Sequence, residues 1–239
     1  MTVGFGAATA STAAETPKVL TLDPTLMVAD YLDTAAIDAN DAGEEPAYDD
    51  RLELSWGVAL TSNYISSGVT QSDDEPAFQA WGEIASGIVY AGIWLSTVDL
   101  DGDNWEFDLS WGIRPEFGPL SLDIGYIRYV YDDTGTCCGE WIAAADYALN
   151  DKAMLNGEFA WDPQYETRSA SAGLTLALAE QLEFSGAIER DLETHDHNWE
   201  AGIAWSFNDN LSLDLRYHDA EFAGPRFVVT LAWQGSTSH

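Results

Sequence analysis

Apolar and polar residues alternate along the chain from residue 51 onward. The alternation is clearest in the segments that contain Leu52, Phe107, Trp199, Leu211 and Phe227. A period of two places one set of side chains on each face of a β-strand, so these segments are predicted to be strands with one apolar and one polar face. About twelve strands are predicted, at 52–64, 76–86, 87–98, 104–115, 119–131, 139–149, 152–162, 168–179, 182–191, 197–207, 211–220 and 225–234.

Polar connectors separate these segments, and short ones alternate with longer ones. Short connectors include LND and AEQ, and longer ones include YDDTGTCCGE and RDLETHDHN. This rhythm is typical of a meander of antiparallel hairpins with tight turns at one rim and loops at the other. An even number of strands also suits the closure of a bacterial outer-membrane barrel.

Residues 1–50 lack this period. They contain a single basic residue, Lys18, many Ala, Thr and Asp, and an acidic end, DANDAGEEPAYDD. We interpret them as an N-terminal extension or linker, mostly irregular, with one short helix near Leu26–Leu32. The tract ATASTAA resembles the small-residue end of an export signal, although no basic region precedes it; a flexible polar N-terminus is the alternative.

Charge and aromatic content narrow the class of protein. The chain has 41 acidic and 9 basic residues, a formal charge of −32, yet 46% of its residues are hydrophobic and ten are Trp. So aromatic a chain does not fit intrinsic disorder. Nucleic acid is disfavoured as a partner, because Lys and Arg supply affinity for phosphate, and cations are favoured. No apolar run of 18 residues predicts a transmembrane helix.

The apolar face carries aromatic residues near the predicted strand ends, as expected where strands cross the two interfaces of a bilayer. We predict that these aromatics face lipid at the membrane interfaces: Trp56, Trp94, Trp105, Tyr126, Tyr129, Trp141, Tyr147, Trp161, Trp199, Tyr217 and Trp233. The opposite face then points into a barrel. The candidates for lining its lumen and setting selectivity are Glu53, Glu83, Glu106, Asp108, Arg114, Asp123, Asp146, Glu158, Glu183, Glu200, Asp214, Arg216 and Arg226.

Residues 55–132 also carry a resemblance beyond periodicity. The segments SNYISSGVTQSDDEPAFQAWGEI and GIVYAGIWLSTVDLDGDNWEFDLSWGIRPEFGPLSLDIGYIRYVY resemble the TorF family of proteobacterial outer-membrane porins, first catalogued as conserved hypotheticals. The residues that carry it are Tyr64, Gly68, Gln71, Pro76, Tyr90, Gly92, Trp94, Glu106, Asp108, Gly125 and Tyr126. The resemblance implies a β-barrel in the cell outer membrane, without an established substrate or catalytic residues.

Other candidate chemistry is weak. Asp99, Asp101 and Asp103 alternate as in a calcium loop, but Gly and Glu are missing at the sixth and twelfth positions, so we expect a hairpin turn with at most weak divalent-ion binding. His195 and His197 could face one metal ion, but the sequence offers no third metal ligand beside them. We interpret Cys137 and Cys138 as loop thiols, because a disulfide between adjacent cysteines is strained. No nucleophile elbow occurs, so we predict neither an enzyme nor a cofactor.

The sequence therefore predicts an all-β protein: an antiparallel transmembrane barrel of about twelve strands over 51–239, after the extension 1–50. The predicted function is a passive outer-membrane pore with an acidic, cation-favouring lumen, and its partners are outer-membrane lipid and small solutes or cations. The alternatives are a non-conducting structural or adhesin-like barrel and an exported, soluble acidic β-sandwich that binds a ligand. The sequence does not indicate the oligomeric state.

Overall fold

The computed structural model describes residues 51–100 and 102–238 and contains fifteen strands in that part of the chain. Their bounds are β1 Leu52–Thr61, β2 Ile65–Ser66, β3 Val69–Thr70, β4 Ala77–Ser86, β5 Val89–Leu100, β6 Asp103–Ile113, β7 Glu116–Phe117, β8 Leu120–Tyr131, β9 Gly135–Asn150, β10 Ala153–Asp162, β11 Thr167–Ala179, β12 Leu182–Asp191, β13 His197–Asn208, β14 Leu211–Ala220 and β15 Arg226–Ser238. The predicted helix near Leu26–Leu32 and the extension 1–50 lie outside the described residues. Within those residues no helix is long and apolar enough to cross a bilayer.

Twelve of the strands form one closed antiparallel barrel. The order runs β6-β5-β4-β1-β15-β14-β13-β12-β11-β10-β9-β8, and pairing between β6 and β8 closes the ring. The first and last strands of the barrel pair with each other from Glu53–Ser238 to Thr61–Thr230. The predicted fold class is confirmed, and each predicted strand corresponds to one barrel strand.

The two rims differ in the length of their connections. At one rim lie the connections 87–88, 114–119, 151–152, 180–181 and 209–210, together with the start of β1 and the end of β15. At the other rim, the connections include 62–76, 163–166, 192–196 and 221–225. We call these the turn rim and the loop rim. The predicted alternation of short and long connectors is present from 151–152 onward, whereas 132–134 at the loop rim is shorter than 114–119 at the turn rim. The longest connection of the described barrel is 62–76.

The barrel reverses the polarity of a water-soluble fold. Eight of the ten Trp side chains are exposed on its outside, at 36% to 52%. Buried residues alternate with them along the strands and include many charged groups, among them Glu106, Asp108, Asp123 and Arg216. Among the described residues the apolar clusters inside are small, one around Ile127, Ile142 and Ala160 and one around Tyr64, Ala77, Trp94 and Val98. Because soluble proteins bury their large apolar side chains, this distribution argues against the soluble sandwich.

Connection 62–76 folds into the barrel. Its strands β2 and β3 form a hairpin whose two turn residues, Ser67 and Gly68, have φ of 45° and 77°, as a type I′ turn requires. A Cβ at Gly68 would lie 2.7 Å from the Cβ of Ala220 and 2.8 Å from that of Asn198. The hairpin tip therefore touches β13 and β14, three and two places from β1 around the wall. We call residues 62–76 the inner loop.

Candidate functional site

The candidate site is the inward face of the barrel wall. All thirteen residues proposed to line the lumen are buried or half-buried. Twelve of them lie on strands, on the side of the buried positions, and Arg114 follows directly after β6. They comprise ten acids and three arginines. The structure gathers most of them into two ion-pair clusters and one cluster that contains only acids.

The first ion-pair cluster lies near the turn rim and is centred on Arg114. Its Nη1 and Nη2 donate to the two carboxylate oxygens of Glu83 at 2.6 and 2.9 Å, and its Nε donates to Asp123 Oδ2 at 2.7 Å. The hydroxyl of Tyr90 donates to Asp123 Oδ1 at 2.9 Å, and the guanidinium carbon lies 3.7 Å from the Tyr90 ring centre. The cluster joins β4, β5 and β8 by charge-assisted hydrogen bonds.

The second ion-pair cluster joins β12, β13 and β14 around Arg216. Its Nη1 donates to Glu200 Oε1 at 2.7 Å, and its Nη2 donates to Asp214 Oδ2 at 3.1 Å and Ser185 Oγ at 2.9 Å. His218 Nδ1 lies 3.2 Å from the other oxygen of Glu200. Each arginine thus contacts two carboxylates, so both clusters remain negative when their acids are ionised.

The inner loop reaches the wall beyond the second cluster. Ser67 Oγ donates to Glu189 Oε1 at 3.1 Å, and Asn198 Nδ2 donates to Glu189 Oε2 at 3.0 Å. At the other end of the loop, Arg226 of β15 donates two hydrogen bonds to the Asp74 carboxylate. These contacts hold the loop across the interior of the barrel.

A polar cavity of about 50 Å³ lies beneath the loop tip. Its lining includes the carboxylates of Glu158, Glu189 and Glu200, with Ser171 and Asn198 between them. A volume of this size holds a few water molecules.

The cluster that contains only acids lies on the other side of the wall. Glu106 and Asp108 are 3% and 4% exposed and point inward from β6. Tyr131 donates its hydroxyl to Glu106 Oε1 at 2.7 Å, and Tyr129 donates to Glu140 Oε2 at 2.8 Å. Neither Glu140 nor Glu189 was among the predicted lumen residues, although both alternate in phase with inward positions.

Two of the aromatic residues predicted to face lipid lie instead on the inward side of the barrel wall. Trp94 is 3% exposed and packs edge-on against Tyr64 of the inner loop, with ring centres 5.3 Å apart. Tyr129 packs against the buried Ile127 cluster. The remaining predicted aromatics are exposed or half-buried on the outside, where Trp111, Tyr126 and Trp141 form a row with ring centres 5.1 Å apart. Trp111 was missed, although it alternates in phase with Trp105, which was predicted.

The proposed calcium-like turn has another role. Asp103 accepts hydrogen bonds from the backbone N–H groups of Asp133 and Thr134 and from the Thr134 hydroxyl, all at 2.8 to 2.9 Å, and so caps the neighbouring turn. Asp101 lies outside the described residues. In the described part of the chain, no three His, Cys, Asp or Glu side chains are placed to hold a metal.

The two cysteines differ from the sequence-based interpretation. Cys137 and Cys138 are bonded to each other near the start of β9, rather than being free loop thiols. The backbone carbonyl of Cys137 accepts a hydrogen bond from the Gln164 side chain at 2.9 Å, so the bonded pair is joined to the next loop at the same rim.

Comparisons with known proteins agree with this architecture. A KdgM porin structure is similar with a TM-score of 0.59 and 5% identity over 76% of this chain and 98% of that one. A KdgM porin in complex with disordered oligogalacturonate gives 0.56 and 5% over 76% and 98%, and a NanC porin gives 0.51 and 7% over 78% and 99%. At such identities the similarity shows the fold alone. No curated protein sequence matches the chain. A family model described as "Bacterial protein of unknown function (Gcw_chp)" matches residues 45–236, which is most of the chain, and the chain therefore belongs to the Gcw_chp family.

Proposed function

We propose that this protein is a narrow, passive porin of the bacterial outer membrane that favours cations or small cationic solutes. The observation that carries the proposal is the reversed polarity of the closed barrel, with Trp, Phe and Leu side chains outside and charged groups inside. The resemblance of residues 55–132 to the TorF family supports the same assignment, and we propose that the chain is a member of that family. The fold shared with KdgM and NanC porins is consistent with it.

Lipid is the solvent that suits the outer surface. Along β6, for example, Trp105, Phe107, Leu109, Trp111 and Ile113 are all exposed. In water, so many exposed apolar side chains would drive association. In a bilayer, the closed ring of strands satisfies the backbone hydrogen bonds, and the apolar side chains contact acyl chains.

The charge of the interior supports a preference for cations. Three arginines face ten predicted acids, and Glu140 and Glu189 add two more on the same face. A passage with negative walls concentrates cations and repels anions, and salt weakens the effect as the Debye length falls from about 10 Å at 0.1 M to about 3 Å at 1 M. The named solute of the KdgM complex, oligogalacturonate, is therefore not proposed for this protein.

Conductance in planar bilayers under a salt gradient tests the proposal. We expect discrete current steps and a reversal potential of cationic sign, larger at low salt. The variant Glu158→Gln with Glu189→Gln removes two charges beside the cavity and should move the reversal potential toward zero. The matched control, Glu180→Gln with Asp209→Asn, removes two charges from exposed residues of the turn rim and should leave the potential close to that of the native protein.

The alternatives predict different results. A folded barrel that inserts but never conducts would favour a structural or adhesin-like protein. A channel with the same reversal potential in the native protein and in the Glu158 and Glu189 variant would show that the conducting path avoids the cavity. An anionic sign would contradict the proposed selectivity.

A further inference from the structure

Five buried side-chain oxygen atoms of the described residues have no hydrogen-bond partner. One is Ser206 Oγ on β13, and the other four lie on β4 and β6: Gln79 Oε1, Glu106 Oε2 and both carboxylate oxygens of Asp108. These last three residues are 1%, 3% and 4% exposed. A buried charge without a partner is costly, and even a neutral buried acceptor costs about 1 to 3 kcal/mol when it is left unpaired. Buried groups of this kind are usually paired or coordinate a metal.

The strand register places Gln79 and Glu106 in one row across the inner wall. Gln79 pairs with Ser96 across β4 and β5, and Ser96 pairs with Glu106 across β5 and β6. Glu106 and Asp108 are two residues apart on β6, so their side chains point to the same face. Ser96 between Gln79 and Glu106 is fully buried, and its hydroxyl donates to the backbone carbonyl of Thr97 at 3.0 Å, so it does not donate to Gln79 Oε1 or Glu106 Oε2.

Charge and surroundings indicate what could fill this site. The ionisable groups that interact with Asp108 are two further acids, Glu106 and Glu140, and no basic side chain is among them. Cross-strand pairs place Trp94 and Tyr129 on either side of Asp108. Tyr64 of the inner loop packs on Trp94, so the loop covers this side of the wall. The site is therefore anionic, lined by oxygen acceptors and flanked by aromatic rings.

We propose that Gln79, Glu106 and Asp108 bind one divalent cation of the size of calcium beneath the inner loop. Oxygen ligands in an irregular arrangement suit calcium, which takes six to eight of them, whereas magnesium requires a near-octahedral shell and keeps its waters. Two carboxylates balance a charge of +2, and waters complete the shell. The site differs from the Asp99 to Asp103 turn and does not depend on whether the barrel conducts.

Terbium luminescence tests the site in the detergent-folded, full-length protein. Terbium replaces calcium, and the neighbouring Trp94 and Tyr129 should sensitise its emission. After treatment with chelator, we expect one saturable terbium site from which calcium displaces the ion far more readily than magnesium does. Asp108→Asn should weaken terbium binding at least tenfold. Trp94→Phe should lower the emission without changing the calcium concentration that displaces terbium.

The control is a buried aspartate that already has a partner. Asp146 is 6% exposed and accepts a hydrogen bond from Asn156 Nδ2 at 2.7 Å, so Asp146→Asn should bind terbium as the native protein does. If Asp108→Asn does not fold, the calcium dependence of the native unfolding temperature takes its place, because a ligand of the folded state raises that temperature. Equal terbium affinity in Asp108→Asn and native protein would overturn the proposal, as would a native unfolding temperature that calcium leaves unchanged. Either result would mean that the carboxylate of Asp108 does not bind a cation.

Discussion

At the scale of single residues, close packing inside the wall depends on Gly57 and Trp81. They pair across β1 and β4, and a Cβ built on Gly57 would lie 2.0 Å from Trp81 Cζ2. Trp81 also packs against the buried cluster around Trp94, so its ring has little freedom to move. We expect Gly57→Ala to lower the free energy of unfolding by about 1 to 3 kcal/mol, the usual cost of overpacking.

Denaturant unfolding in detergent, followed by tryptophan fluorescence, measures this change. Gly82 is the control, because the nearest atom to its added Cβ is Ser55 O at 3.8 Å and Gly82→Ala introduces no clash. Equal free energies of unfolding of the two variants would show that the Trp81 ring can move away from residue 57 without loss of stability.

A second residue-scale prediction concerns the acids of β6. The side chains of Glu106 and Asp108 are buried, and the proposed cation would neutralise them, whereas Glu158 and Glu189 line the cavity beneath the loop tip. We therefore expect Glu106→Gln with Asp108→Asn to change the reversal potential in low salt much less than Glu158→Gln with Glu189→Gln does. A larger shift from the β6 pair would place these two acids on the conducting path.

The same residues show where sequence reasoning reaches its limit. The inward position of Glu106 and Asp108 follows from their alternation with Phe107 and Leu109. Trp94 and Tyr129 were placed outside because large aromatics suit lipid, yet an aromatic ring also fits a packed interior. The position of Trp94 in the alternating pattern does indicate its side. Trp94 is two residues from Gly92 and two from Ser96, which face inward, and it is next to Ile93, which faces outward.

At the scale of elements, the inner loop is held at two ends. Asp74 and Arg226 form an ion pair at one end, and Ser67 contacts Glu189 at the other. We expect Asp74→Asn to release the first contact and so to raise the frequency of large-conductance openings in single-channel recordings. The packing of Tyr64 on Trp94 should keep the loop inside for part of the time, so opening is expected to be intermittent.

The pH dependence of this contact has a definite sign. Hydrogen bonds from Arg226 hold the pKa of Asp74 below its ordinary value of 3.8. The contact is therefore fully present above that ordinary value and is lost only as the pH falls through the lowered pKa. Native channels should have the same open probability at pH 7 and pH 5 and should open more often in stronger acid, whereas Asp74→Asn should not respond.

The neighbouring acid provides the control for both experiments. Asp73 is exposed and, like Asp74, has a positive φ that Asn tolerates, so Asp73→Asn removes one charge from the same loop without breaking the ion pair. If Asp73→Asn opens the channel as much as Asp74→Asn does, loop charge rather than the ion pair controls the opening.

Strands were more predictable than the loop between them. The predicted segment 182–191 coincides with β12, and 211–220 coincides with β14, because alternation fixes a strand wherever one face is apolar. β9 begins at Gly135 rather than at 139, since paired strands extend beyond the apolar band. The inward fold of residues 62–76 left no periodic signal. It depends on contacts with β12, β13 and β15, which are more than a hundred residues away in sequence.

At the scale of the whole molecule, every strand pairing that closes the barrel lies within residues 51–238. β1 begins at Leu52 and pairs with both β4 and β15, and β6 pairs with β8 to complete the ring. We therefore predict that a chain lacking residues 1–50 folds into detergent or lipid as the full chain does. On a gel it should migrate differently before and after boiling, which is the behaviour of a barrel that unfolds only on heating. Failure to show that shift, while the full chain shows it, would make residues 1–50 part of the folding unit.

Bilayer recordings on the same pair of proteins test a separate role, since a higher conductance of the shortened chain would identify the extension as a plug, and an equal conductance would identify it as a linker.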